Sequence, residues 1–96
     1  MYRDIADFKA QHKAAGGHFF DRGAMRFFNS RIESTLLKGG YFITSETYNV
    51  LLPRFYQIRM VDESDPRDVK TLNEHHATKA EAMEVIRDLR KRRGQD

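Results

Sequence analysis

The chain has 96 residues, a length that predicts one domain spanning residues 1–96. It contains no cysteine, which excludes disulfides and thiolate chemistry, and no apolar run approaches the roughly 18 residues that a membrane-spanning helix needs. We therefore expect a cytoplasmic protein that does not bind a membrane. The net charge is +3 and the pI is near 9.4, a mild basic bias that fits an anionic partner.

The first two predicted elements are helices. The segment DIADFKAQHKAAGG has Asp4 as its N-cap, one stripe at 3-4-3 spacing made of Ile5, Phe8, His12 and Ala15, and a Gly-Gly stop. The second helix runs from Asp21, its cap, to about Arg31. On that helix the spacing places Met25, Phe28 and Ile32 on one apolar stripe.

The middle of the chain has the pattern of strands. The runs IESTLL and YFITSE flank Lys38-Gly39-Gly40, which predicts a hairpin. RFYQIRMV alternates, so that Ile58 lies on one face of its strand and Arg59 on the other. The segment DESDPRD is a polar turn, and VKTL adds one antiparallel strand.

The last element is the best defined. TKAE forms a capping box in which Thr78 is the N-cap and Glu81 the third helical residue. An apolar stripe at helical spacing follows, made of Ala82, Val85, Ile86 and Leu89. The fold class is therefore α+β. We expect two layers, in which an antiparallel sheet of three or four strands packs with an N-terminal helix, a short second helix and a C-terminal amphipathic helix.

Two Phe-Phe pairs, at residues 19–20 and 27–28, stand among arginines in GHFFDRGAMRFFNSRI. Phe rings stack on nucleic-acid bases, but they also fill the core of a small domain that lacks tryptophan. We expect the four rings to be chiefly core, with Phe28 buried and Phe27 at a boundary. The candidate partner-binding residues are the cations around them and in the strands: Arg26, Arg31, Lys38, Arg54 and Arg59.

No pattern in the sequence indicates catalysis. A nucleophile elbow and a glycine-rich phosphate loop are absent. His75 and His76 are adjacent, and adjacent residues do not easily bind one metal ion. We therefore expect no enzyme activity, no metal, no small-molecule cofactor and no catalytic residues.

The motifs GGHFFDRGAMRFFNSRI, YFITSE and PRFYQIR resemble a family of short, uncharacterised proteins that bacteriophages and other mobile elements encode. The similarity covers roughly residues 5–60, together with the last helix. The resemblance implies a genomic setting in which small accessory proteins act by binding. We therefore expect a non-enzymatic binding module for nucleic acid or a host defence ribonucleoprotein. The alternatives are an inhibitor of a host defence system, such as an anti-CRISPR protein, that binds a protein directly, or a homodimeric structural protein.

Overall fold

A computed structural model of the protein describes residues 2–49, 51–72 and 75–94. These residues form three helices and a four-stranded sheet with the order β1-β2-β3-β4, in which each neighbouring pair is antiparallel. The α+β class and the predicted set of elements are confirmed. In chain order the elements are α1 (Ile5–Ala14), α2 (Arg22–Phe27), β1 (Arg31–Ile32), β2 (Tyr41–Glu46), β3 (Phe55–Asp62), β4 (Asp65–Thr71) and α3 (Lys79–Arg92).

The two long helices begin where their capping residues predict. The Asp4 carboxylate accepts a hydrogen bond from the Asp7 amide at 2.8 Å, and the Thr78 hydroxyl accepts one from the Glu81 amide at 3.1 Å. In α3 the Glu81 carboxylate accepts from the amide of Ala77 at 3.0 Å, so both halves of a capping arrangement are present. Ile5 and Phe8 of α1 pack with the sheet residues Phe42 and Val61, and the predicted stripe of α3 packs with Tyr41, Ile43 and Ile58.

The first hairpin is less regular than predicted. Only Arg31 and Ile32 form β1, while Leu37 makes an isolated bridge to Tyr41 across the Lys38-Gly39-Gly40 turn. Between these points the Ser34 hydroxyl accepts the hydrogen bond of the Ile43 amide at 2.8 Å. A side chain therefore replaces a backbone partner, and the predicted strand at residues 32–37 is interrupted.

The second hairpin extends further than predicted. β4 begins at Asp65, inside the segment expected to be a turn, and the connection to β3 is a tight turn at Asp62–Asp65. Pro66 is tolerated because β4 is an edge strand, where a missing backbone N–H breaks no ladder on the open side.

Each face of the sheet carries its own apolar cluster. On one face Tyr41, Ile43 and Ile58 pack against α3. On the other face Phe42 and Val61 pack against α1, whose Phe8 is fully buried, and against Phe19 and Phe20. The helices α1 and α3 thus lie on opposite faces, and all six residues of β2 are buried. The sheet therefore carries a helix on each of its faces.

Helix α2 is the main departure from prediction. It ends at Phe27, and Asn29 takes a left-handed conformation (φ 50°), which Asn tolerates better than most residues. The Asp21 carboxylate does not cap the helix, because it lies 2.7 Å from Nδ1 of His18. Phe28 was expected to be buried but is 39% exposed, since the two faces of the sheet are already filled by other residues.

Candidate binding surface

Five rings form a continuous array where β2 ends and β3 begins; we call it the aromatic end. Along it the ring centroids are separated by 4.5, 5.1, 5.1 and 4.3 Å, all within the range of aromatic contacts. The first two contacts are edge-to-face and the last is a parallel stack. In order the rings belong to Phe27, Phe28, Tyr48, Phe55 and His75.

Much of the aromatic end is open to solvent. Phe27 is 79% exposed and Tyr48 is 64% exposed. The adjoining loop adds Leu51 and Leu52, at 87% and 55%. Single exposed apolar residues are common on protein surfaces, but contiguous ones mark interaction sites. The aromatic end is therefore the strongest candidate for a binding surface among the described residues.

The rings are held by hydrogen bonds from the backbone beneath them. The Thr47 amide donates to the Phe28 carbonyl at 2.9 Å, which ties the end of α2 to the end of β2. Arg54 reinforces this junction: its guanidinium donates to the carbonyl of Asn29 at 2.5 Å and to the hydroxyl and carbonyl of Ser45, both at 2.9 Å. The surface is thus held in position before any partner arrives.

Charge near the aromatic end is mainly positive, although the Glu33 carboxylate accepts a hydrogen bond at 3.0 Å from the hydroxyl of Ser45, the strand partner of Arg31. Residues 22–32 contain three arginines and no acidic residue, and residues 47–55 contain one arginine and no acidic residue. Arg26 and Arg31 are both exposed; Arg26 directly precedes Phe27 in α2, and Arg31 pairs with Ser45 near the end of β2. These two members of the predicted binding set are well placed for an anionic partner, and their role stays a prediction.

Lys38 and Arg54 are placed differently. Lys38 is exposed in the first hairpin turn, before β2 begins. Arg31 pairs with Ser45 near the other end of β2, so about 15 Å of strand separates Lys38 from Arg31. Arg54 is half-buried, and its three hydrogen bonds make it a support beneath the surface. Neither residue presents its charge beside the exposed rings.

Arg59 lies inside the fold. Its side chain is 13% exposed, and its guanidinium donates to the Glu46 carboxylate at 2.6 Å and to the Thr44 hydroxyl at 3.1 Å. A further hydrogen bond reaches the hydroxyl of Thr71, and the guanidinium lies 5.1 Å from the centre of the Phe19 ring. The predicted alternation, with Arg59 and Ile58 on opposite faces of β3, is correct. The face that carries Arg59 is covered by α1, Phe19 and Phe20.

The two histidines point to different surroundings. His75 stacks on Phe55, whereas His76 is buried beside a cavity of about 440 Å³ under α3. Among the residues described, no three His, Cys, Asp or Glu side chains are grouped closely enough to hold a metal ion. Nor is any described helix long and apolar enough to cross a membrane.

Sequence reasoning missed Tyr48, Leu51 and Leu52. The segment TYNVLLP lies between two predicted strands and is more apolar than an ordinary connection. A loop rich in Tyr and Leu has no core of its own to enter, so this composition could have indicated an exposed binding loop.

These features define a class of protein: an α+β domain whose sheet is covered on both faces and whose exposed aromatic residues gather at one end. The chain belongs to a family of unknown function (DUF7447), which matches residues 4–87. No curated protein and no solved structure matches it.

Proposed function

We propose that this protein is a non-enzymatic module that binds single-stranded nucleic acid through the aromatic end. The observation that carries the proposal is the exposure of Phe27 and Tyr48 in a contiguous array of rings, beside Arg26 and Arg31. Proteins that bind single strands combine exposed rings, on which bases stack, with cations that contact the phosphates.

The resemblance to short phage and mobile-element proteins supports the same proposal, since accessory proteins of that kind act by binding. The proposal includes a role for the protein in the host cytoplasm, on a free strand or on the exposed strand of a host ribonucleoprotein. A duplex suits the surface less well, because its bases are already stacked on one another.

The test is fluorescence anisotropy with a labelled single-stranded oligonucleotide at several salt concentrations. Phe27→Ala should weaken binding by about 1–3 kcal/mol, the contribution of one stacked base. Phe27→Leu is the matched control for apolarity: it keeps an apolar side chain and removes the ring, so it should bind nearly as weakly as Phe27→Ala. Parental affinity in Phe27→Ala would refute the proposal.

A second candidate is an acidic protein surface, and Leu51 and Leu52 favour it. Aliphatic side chains have no π face for a base, whereas apolar anchors at the centre of a patch are typical of protein interfaces. In that case the oligonucleotide would fail to bind. The Phe27→Leu variant would keep most of the parental affinity for the acidic partner protein.

A homodimer through this surface is disfavoured by charge. A two-fold axis brings the same patch of both copies together, so the three arginines of residues 22–32 would face their own copies with no acidic residue in that segment to pair with them. We expect a monomer in light scattering at low salt.

A further inference from the structure

A second charged feature lies between the end of α1 and the start of α2. It is a cleft of about 210 Å³, and three cations line it: Lys9 and Lys13 from α1 and Arg22 from α2. Its lining also includes the Phe20 ring, over which the Lys9 ammonium lies at 5.9 Å from the centroid. The cleft is smaller than the roughly 300–1,000 Å³ of sites for drug-sized ligands, so a small group suits it better.

The three cations lack acidic partners in the described part of the chain. None of them has a carboxylate oxygen within 4.0 Å, and Asp21, which also lines the cleft, is engaged with His18 at 2.7 Å. Lys9 and Lys13 are four residues apart on one helix face, where like charges destabilise each other. A bound anion would relieve that repulsion.

The loop between the helices is fixed by a buried histidine. Nδ1 of His12 lies 2.7 Å from the Pro66 carbonyl, and the Phe19 amide donates to Nε2 at 3.1 Å, so Nδ1 carries the proton. Gly17 packs on the same ring so closely that a Cβ there would lie 2.3 Å from ring atoms. The walls of the cleft are therefore preset by the core.

We propose that this cleft binds a phosphate group, and that the group is a backbone phosphate of the strand whose bases stack at the aromatic end. The assignment to a strand rests on the proposed function. Arg22 and Phe27 are the first and last residues of α2, so they are separated by only about 8 Å along the helix axis. Five residues also turn these two side chains about 140° apart around the axis, and Arg26, about 40° from Arg22, lies between them. A short strand that contacts both the cleft and the exposed rings therefore passes around α2 by way of Arg26.

The first experiment uses inorganic phosphate and ¹⁵N NMR, with chloride added to keep the ionic strength constant. The amides of Gly17 and Arg22 should shift most. Lys13→Ala and Arg22→Ala should each weaken phosphate binding about tenfold, the effect of losing one charge-assisted hydrogen bond. Lys38→Ala, the control with the same loss of charge, should bind as the parent does. If the affinity for phosphate fell equally in all three variants, binding would depend on net charge alone, and the proposed site would be refuted.

The second experiment identifies the source of the phosphate. With a single-stranded oligonucleotide, Lys13→Ala should flatten the log–log salt dependence of binding by about 0.7, whereas Phe27→Ala should lower the affinity and leave the slope unchanged. An unchanged slope in Lys13→Ala would refute the role of the cleft on the strand while leaving the aromatic end intact. Phosphate binding without oligonucleotide binding would instead refute the proposed function. Binding of phosphatidic acid vesicles but not of the oligonucleotide would overturn the assignment to a strand.

Discussion

Removal of the Arg59 guanidinium should destabilise the fold, although the sequence placed this residue on a binding surface. In Arg59→Ala the Glu46 carboxylate, 2% exposed, would keep only the Thr44 hydroxyl at 2.9 Å and a long contact of 3.5 Å from the Ser30 hydroxyl. Its second oxygen has no hydrogen-bond partner among the residues that the structure describes. A buried charge would be left without its counter-charge.

The expected magnitude follows from that burial. Breaking a buried ion pair by deleting one partner costs about 3–5 kcal/mol, chiefly because the remaining charge is desolvated. Domains of this size are stable by about 5–15 kcal/mol, so the loss is a large fraction of the total. The melting temperature should fall by more than about 10 °C.

Urea unfolding followed by circular dichroism measures the effect. Arg26→Ala is the control, since it also removes one arginine but from an exposed site, and it should stay within about ±0.5 kcal/mol of the parent. The double variant Arg59→Met, Glu46→Leu should recover much of the loss, because it leaves no unpaired charge. If Arg59→Ala kept parental stability but bound the oligonucleotide more weakly, the structural role would be refuted. Arg59 would then be a binding residue, as the sequence predicted.

Three further outcomes follow from the packing. Ile86→Ala should lose about 2–5 kcal/mol in the same unfolding assay, because Ile86 is 2% exposed on the face of α3 that packs against the sheet; a parental midpoint would contradict that packing, and Arg87→Ala is the exposed control. Phe28→Ala should lose clearly less than the roughly 3–5 kcal/mol of a core phenylalanine, since its ring is 39% exposed; a full core-sized loss would mean that the ring is buried in solution. Burial, and then the nearby Asp62 carboxylate, raises the pKa of Tyr2. The contribution of this hydroxyl to the stability of the fold is fully present below the pKa of an unfolded tyrosine, about 10, and is lost as the pH rises above that value. Tyr2→Phe should therefore show a smaller loss of stability at alkaline pH than the parent.

The helices and the strand alternation follow from local chemistry that a sequence displays directly. Asp4 and Thr78 cap α1 and α3 because their oxygens reach amides three residues ahead, and this depends on nothing outside the segment. The opposite orientations of Ile58 and Arg59 follow from the two-residue period of a strand. The α+β class needs no more information than this.

The covering of the faces was decided by tertiary structure. The periodicity of apolar residues in a helix or strand predicts which residues share a face, but it does not predict what packs against that face. Once α1, Phe19 and Phe20 cover the face that carries Arg59, its guanidinium is enclosed and pairs with Glu46. The two Phe-Phe pairs, which look equivalent in the sequence, therefore have different environments in the fold. Residues 19–20 find apolar space against β2, while residues 27–28 find none and remain at the surface, because the volume beside the sheet is finite and nearer segments occupy it.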